Sequence, residues 1–413
     1  MTKPPMLTAQ QALDHLLSHA KSVTECEKVA MQAALGRVLG QSVSSLVDVP
    51  PLDNTSMDGY AVRTADTSTA GSILKIAQRI PAGSVGKTLD PGTVARIFTG
   101  APVPPDADAV VMQEDCAIPE GSTDQVQVNI VPTPGQWIRR RGEDLTAGKT
   151  CLTSGTFLRP QELGVAASAG LTHLNVKRRV RVAAFFTGDE LSLPGEPLKP
   201  GGIYNSNRDT LLACLQSLGC DATDLGIIPD RLDATRSALR KASKDHDLII
   251  TSGGVSVGEE DHIKPAVTAE GRLDLWQIAI KPGKPLAFGA VRKTDEPQDG
   301  EAWFIGLPGN PVSSFVTFLL FVRPFILKLQ GREVKSPQSY LMRSDFDWSK
   351  ADRRNEFLRV KINDQGGLDL FPNQSSGVLT SASWGDGLVD CPPGQAFKKG
   401  DLVKYISFDA LLK

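Results

Sequence analysis

Leu248-Ile249-Ile250-Thr251-Ser252-Gly253-Gly254-Val255-Ser256-Val257-Gly258-Glu259-Glu260-Asp261 is an apolar run that passes directly into a glycine-rich, acidic loop. A short run of branched aliphatic residues bounded by a turn signal reads as a buried strand. The same grammar appears twice more. Val180 to Phe186 leads into Thr187-Gly188-Asp189-Glu190, and Trp303 to Gly306 leads into Leu307-Pro308-Gly309-Asn310-Pro311. Between them, Leu211, Leu212, Leu215 and Leu218 have helical spacing and stop at Gly219. Strands that alternate with helices predict a doubly wound, parallel α/β sheet over 180–330. In such sheets ligands bind beyond the carboxyl ends of the strands, so the three polar loops are expected to converge.

Outward from this unit the patterns change. Thr8-x-x-Gln11 is a capping-box signature before Leu13, Leu16 and Leu17, which share one helical face. A second helical pattern is read to end near Leu39-Gly40, and a third spans Gln161 to Ala169. Val49 to about Asp144 is rich in Pro and Gly, with alternating runs such as Thr93-Val94-Ala95-Arg96-Ile97-Phe98, and reads as β-rich. After about Gly331 short strand patterns return. The expected organisation is a helical domain split into 1–47 and 146–179, an inserted β-rich domain at 48–145, the α/β domain at 180–330 and a C-terminal β domain at 331–413.

Composition narrows the function. The 413 residues exceed the size of one hydrophobic core. Lysines and arginines total 45 against 47 acids, a balance that argues against nucleic acid or an anionic membrane as partner. The longest apolar run, Phe315 to Val322, is too short to span a bilayer. The N-terminus has no charged-then-apolar leader, so the expected location is cytoplasmic. Six scattered cysteines without a Cys-x-x-Cys pair read as reduced thiols, and His15 and His19, four apart, as a plain helix face.

The chemistry concentrates in a few strings. Ser252, Gly253, Gly254 and Ser256 form a strand-end loop whose backbone can approach an anion closely. Lys281-Pro282-Gly283-Lys284-Pro285 sets two ammonium groups on a stiffened segment, which suits a tetrahedral oxyanion or a phosphate. Glu190, Asp230 and Asp261 follow elements of the same α/β unit, and carboxylates beside a phosphate loop are natural Mg²⁺ ligands. Arg139-Arg140-Arg141 before Gly142-Glu143-Asp144 reads as a solvated face unless something recruits it. Gly83-Ser84-Val85-Gly86-Lys87-Thr88 imitates the tail of an ATP-binding loop, but Pro81 replaces the leading glycine and Pro91 forbids the following helix. It reads as a hairpin turn.

Together these strings resemble the MoeA family of molybdopterin molybdenumtransferases, which includes the E domain of gephyrin. The matches, in order, are Asn54-Thr-Ser-Met-Asp58-Gly-Tyr-Ala, Ile97-Phe-Thr99-Gly-Ala-Pro, Arg139-x-x-Gly-Glu143-Asp144, Thr187-Gly-Asp-Glu190-Leu, Asn205-Ser-Asn, the Gly253 loop through Asp261, Lys281-Pro-Gly-Lys-Pro and Leu307-Pro-Gly-Asn-Pro. The resemblance implies four domains, the α/β domain being like molybdopterin adenylyltransferases and the last a β barrel. It implies a homodimer whose site is shared, the β domain of one copy facing the α/β domain of the other. Asp58, Thr99 and Asp144 would then join the site despite their distance in sequence. The implied reaction takes adenylated molybdopterin and molybdate to molybdenum cofactor and AMP, with Mg²⁺ as cofactor. By position, Lys281, Lys284, Pro285, Ser256, Arg354 and Ser376 would hold molybdate, and Pro308 and Pro311 would shape the cleft. Glu190, Asp230 and Asp261 would handle metal and adenylate cleavage. Transient partners would be a molybdopterin adenylyltransferase and proteins of molybdoenzyme maturation.

The chain departs from the family at Phe186, where a small residue is usual, and at His262, where an aromatic is. Asn373-Gln-Ser-Ser-Gly377 matches the Ser-Gly motif through either Ser375 or Ser376. Two other readings stay open: a gephyrin-like scaffold, and the adenylyltransferase step itself. The intact acidic and lysine strings oppose the first, and the additional β domains with Met57-Asp58-Gly59 oppose the second.

Overall fold

The computed structural model describes residues 6–255 and 262–412. The chain divides into two units, one formed by the chain up to Glu27 and from Lys177 onward, the other by Lys28–Val176. It opens with α1 (Ala9–His19), where Thr8 Oγ1 accepts from Gln11 N and Gln11 reaches back to Thr8 N, the capping box the sequence predicts.

The Lys28–Val176 unit is built on a six-stranded sheet. Its strands are β1 (Gly59–Val62), β2 (Ser72–Ile80), β3 (Thr93–Ile97), β4 (Ala109–Met112), β5 (Cys116–Ala117) and β6 (Gln125–Val128), in the order β4-β1-β3-β2-β6-β5. Alternate residues fill two cores. Tyr60, Val62, Val94 and Val111 enter one, and Ala61, Ala95, Ile97 and Val110 the other. The helix read at 161–169 is α2 (Pro160–Ser168), opened by a proline at its first position. The helix read to end near Leu39 does not form. Met31–Ala33 is a single 3-10 turn, and Gly36, at φ +72°, turns the chain away. Gly36 N and Leu39 N then bond to Leu158 O and Thr156 O, so these amides serve a neighbouring segment rather than a helix. The loop at 81–90 contains no helix, in keeping with the turn expected there.

In the other unit the strand–helix alternation is present. It runs β7 (Arg181–Thr187), α3 (Ser206–Ser217), β8 (Asp221–Ile228), α4 (Leu232–Asp245), β9 (Leu248–Ser252), α5 (Ile263–Glu270), β10 (Gly271–Gln277), β11 (Ile280–Lys281), β12 (Pro285–Arg292) and β13 (Glu301–Leu307). The sheet order is β8-β7-β9-β13-β12-β10. Its first four strands are parallel, as expected from sequence, whereas β12 and β10 add an antiparallel edge. Two-residue alternation sorts this sheet too. Val182, Ala184, Phe186, Leu248, Ile250 and Ile305 face one core, while Ala183, Phe185, Ile249 and Phe304 face another. Because β8 and β9 flank β7 on opposite sides, the order in which strands are added reverses there, and the crevice belongs at the carboxyl ends of β7, β9 and β13.

After β13 come α6 (Pro311–Thr317), a π-turn at Phe318–Val322 and α7 (Arg323–Leu329). Pro324 cannot donate to the preceding turn and would clash with it, so the ladder widens just ahead. This run is long and apolar enough to cross a membrane, but 83% of its apolar window is buried inside the protein, as a core helix is. α1 packs beside it, with Ala12 and Leu16 fully buried in the core of the α/β sheet. The sequence grouped α1 with 146–179; its apolar stripe instead meets this sheet and α7, and its His19 ring lies 5.5 Å from the Phe288 ring of β12.

The C-terminal part comprises β14 (Tyr340–Arg343), β15 (Asn355–Ile362), β16 (Leu368–Leu370), β17 (Gly387–Cys391) and β18 (Leu402–Ser407), paired in the order β11-β15-β17-β18-β14 with β16 beside β15. A bridge between Ser344 and Leu368 brings the two ends of the sheet together, so the barrel is nearly closed. Truncating Leu16 to Ala should cost about 2–5 kcal/mol, because a fully buried leucine leaves a cavity. Urea unfolding measures the loss; a change below the error of the extrapolation would place α1 outside the core.

Candidate active site

The cleft assembles from strand ends. Thr187 ends β7, Ser252 ends β9 and Leu307 ends β13, and their following loops line one cavity of about 740 Å³. Glu190, Asp230, Gly253, Gly254 and Pro308 line it from the α/β sheet, with Lys281, Lys284 and Pro285 from the segment around β11. Arg354, Gln374, Ser375 and Ser376 line it from the barrel. Ser252 and Pro311 border an adjoining cavity of about 610 Å³ that shares Thr187, Glu190, Gly253, Gly309 and Asn310 with the first. Ser256 and Asp261 lie outside the described residues.

Two glycines are required by local geometry. Gly253 has φ +99°, and a Cβ there would stand 2.6 Å from Thr187 O. Gly283 has φ +109°, and its Cβ would land on Thr317 Oγ1. No side chain fits either place, so the loops approach one another closely. Asn207, in the first turn of α3, locks them. Its Nδ2 donates to Ser252 Oγ at 2.8 Å and to Gly309 O at 2.7 Å, while Ser252 Oγ donates to Pro308 O at 3.0 Å. Asn207 stands in the quoted Asn205-Ser-Asn string, but nothing in the sequence says that its amide joins two loops.

The cations are not equivalent. Lys281 Nζ lies 2.6 Å from Glu356 Oε1 and 3.7 Å from Asp352 Oδ2. Glu356 is buried, and its other oxygen accepts from Trp348 Nε1 at 3.0 Å. Arg354 grips Asp352 with two side-chain bonds, Nε to Oδ1 at 3.2 Å and Nη2 to Oδ2 at 3.0 Å. Lys284 is exposed and makes no ion pair with a described residue. Glu356 and Asp352 are functional neighbours that the sequence reading missed; acids near a lysine loop in space leave no spacing signal. The Arg354 bonds hold the Asp352 carboxyl down at about 2, despite the opposing effect of burial.

The opposite charges also gather. Glu190 and Asp230 present hard carboxylate oxygens to the same cleft, a donor chemistry suited to Mg²⁺ shared with phosphate. Among the described residues no cluster of three potential metal-ligating side chains exists. Thr187 Oγ1 is buried at the cleft without a hydrogen-bond partner among the described residues.

Asp58 and Thr99 meet in the Lys28–Val176 unit. Asp58 Oδ1 accepts from Thr99 N at 2.8 Å and Thr99 Oγ1 at 2.6 Å, which lowers the Asp58 pKa. Asp144 is exposed in the same unit. Arg140 and Arg141 are exposed, in keeping with the solvated face read from sequence, and pair with Asp53 and Asp48, each at 2.6 Å. They staple the 138–144 segment to 48–53.

The fold and cleft define a multi-domain α/β protein in which lysine, arginine and carboxylate side chains line one cavity. Three family models match in order: the MoeA N-terminal region (domains I and II) at residues 7–170, a probable molybdopterin binding domain at 183–328 and the MoeA C-terminal region (domain IV) at 342–408. A molybdopterin molybdenumtransferase of Haemophilus influenzae is 40% identical, over 88% of this chain and 89% of that protein. One from Nostoc sp. is 34% identical, over 95% and 91%. A crystal structure of the molybdopterin biosynthesis MoeA protein of Pyrococcus horikoshii superposes with a TM-score of 0.83 at 28% identity, covering 98% of this chain and all of that one. The chain belongs to the molybdopterin molybdenumtransferase family.

The Asp352 clasp predicts an acid-side signature. Its folded pKa of about 2 lies below the ordinary 3.8, so its contribution to stability is present above 3.8 and fades as pH falls through about 2. Asp352→Asn should therefore lose stability at neutral pH and show a shallower decline between those values. Urea midpoints measured across that range decide it; parallel curves for the two proteins would contradict the clasp.

Proposed function

We propose that this chain transfers molybdate to adenylated molybdopterin, releasing AMP and forming the molybdenum cofactor. The observation that carries the reading is one cleft where Lys281, Lys284 and Arg354 share a wall system with Glu190 and Asp230. Molybdate is a tetrahedral dianion and suits the basic side. Lys284 offers an ammonium without an ion pair to a described residue, whereas Lys281 and Arg354 are held in place by Glu356 and Asp352. Orientation with partial charge compensation suits a substrate that must be bound and then handed on. Serines at 375 and 376 add polar contacts from the barrel.

The acidic side takes the phosphates. Alone, Glu190 and Asp230 would repel them. With Asp261 from the neighbouring loop they would hold Mg²⁺, which would stabilise negative charge on the departing AMP. Asp58 and Thr99 stand preorganised in the other unit, and we assign them to the site of a second copy in a homodimer. Substrate would come from a molybdopterin adenylyltransferase, and a cytoplasmic location suits this traffic. The additional β domains and the Met57-Asp58-Gly59 string speak against the adenylyltransferase step.

The direct test incubates the purified protein with adenylated molybdopterin, Mg²⁺ and molybdate and follows AMP release. Charge-assisted bonds are worth about 1.5–3 kcal/mol, so Lys284→Ala or Arg354→Ala should raise the molybdate requirement roughly ten- to a hundredfold. An unchanged requirement in both variants would move the pocket elsewhere. A shared site predicts complementation: Asp58→Asn and Glu190→Gln should each abolish AMP release, while mixed dimers recover up to about a quarter to a half of native turnover per dimer. Failure of mixed dimers to recover any activity would confine the site to one copy.

A further inference from the structure

Arg359 is the bulkiest fully buried side chain in the described protein, only 1% exposed, and no carboxylate stands within ion-pair distance of it among the described residues. It lies on β15, where Leu358 and Val360 point into the barrel core and Arg359 to the other side. All its acceptors are neutral. Nε donates to Ser381 Oγ at 3.1 Å, Nη1 to Phe357 O at 3.1 Å and Nη2 to Ser375 O at 3.4 Å. Burial lowers its pKa to about 10, so it still carries its proton at neutral pH. Burying an uncompensated charge is expensive, and an apolar side chain would fill the place at lower cost.

The charge sits behind a wall of the cleft. Arg359 N donates to Gln374 Oε1 at 2.9 Å, and Gln374 Nε2 donates back to Arg359 O at 3.0 Å. Further along, Ser376 O accepts from Val312 N of α6 at 3.0 Å. Residues 374–376 are therefore hung between β15 and α6, with the guanidinium bonded to their rear. Neutral acceptors orient a cation without cancelling it, and a field in a buried setting is weakly screened. Lys281 and Arg354 have their acids; Arg359 has none among the described residues.

We infer that Arg359 is a positioning and specificity residue of the oxyanion cleft: it fixes the Gln374–Ser376 wall and gives it a positive bias that favours dianionic over monoanionic tetrahedral oxyanions. This rests on the cleft being the molybdate pocket. Attraction to a fixed charge scales with ligand charge, so its loss weakens a dianion by about the square of the factor for a monoanion. A displaced wall would weaken both alike.

Molybdate, a dianion, and perrhenate, a monoanion of similar shape, are the probes, titrated into the full-length protein by calorimetry. Arg359→Met should weaken molybdate about tenfold and perrhenate about threefold, and Arg359→Lys should restore both to within about threefold of native. Equal losses for the two anions, no loss, or a lysine variant no better than methionine would overturn the proposal. Ser381→Asp keeps the arginine but supplies the missing carboxylate, so it reads the charge even if the methionine variant does not fold. An unchanged molybdate-to-perrhenate ratio there also overturns it. Lys284→Ala separates the two readings. If it weakens molybdate while the Arg359 and Ser381 variants do not, only the Arg359 role fails; if none responds, the pocket reading fails and takes that role with it.

Discussion

Two residues decide where the active cleft can be. β11 (Ile280–Lys281) leaves the α/β sheet after β10, pairs in parallel with Asn355 and Glu356 of the barrel, and the chain then returns to the α/β sheet as β12. The barrel is therefore fastened to the α/β sheet by backbone pairing at the level of the lysine loop. This crossing brings Lys281 beside Glu356, and it brings Arg354 and the 374–376 turn to the carboxyl ends of β7, β9 and β13. Without it the lysines would face solvent and the barrel would contribute nothing to the cleft. Gly283, whose backbone must pass close to Thr317 of α6, completes the return.

The cleft's charges are arranged in three grades. Lys281 and Arg354 are compensated and geometrically fixed, Lys284 is exposed without an ion pair to a described residue, and Arg359 is buried and uncompensated. Glu190 and Asp230 oppose them across the same space. On the proposed reading, in which the cleft takes two anionic substrates in one turnover, such a gradation is useful. If every cation were uncompensated, the oxyanion would be held too firmly to move on, and if every one were paired it would not be drawn from water.

Much of this was legible in sequence where one physical signal dominated. β7, β9 and β13 are buried on both faces, so each is a continuous apolar run, and each ends in a polar loop that lines the cleft. Capping marked α1, and the Asp58 and Thr99 strings led to a pair that does hydrogen-bond. The signals failed where tertiary pairing outweighed local pattern. The segment before Leu39 has helical spacing, yet its amides bond to residues 156–158 and Gly36 takes a left-handed turn. β11 is only two residues long and lacks any periodicity to read. The antiparallel β12 resembles its parallel neighbours in composition because it too is buried, so its direction leaves no signal. Glu356, Asp352 and Arg359 are ordinary charged residues on or just before one strand; their roles come from what the fold sets against them.

The loops that form the cleft owe their shape in part to half-buried side-chain amides that bridge them. Asn207 spends both amide hydrogens on Ser252 Oγ and Gly309 O, and Ser252 passes the connection to Pro308 O. An aspartate would present acceptors to the Gly309 carbonyl, and an alanine would leave the buried Ser252 hydroxyl and the exposed Gly309 carbonyl without that donor, so a two-donor amide of this length is what satisfies both loops. Gln374 plays the same part on the barrel side, where one amide both accepts from and donates to the Arg359 backbone. Flexible glycine-rich loops are thus held by rigid hydrogen bonds from a helix on one side and a strand on the other. That division lets glycines supply close approach to an anion while the amides supply the fixed geometry that the glycines cannot.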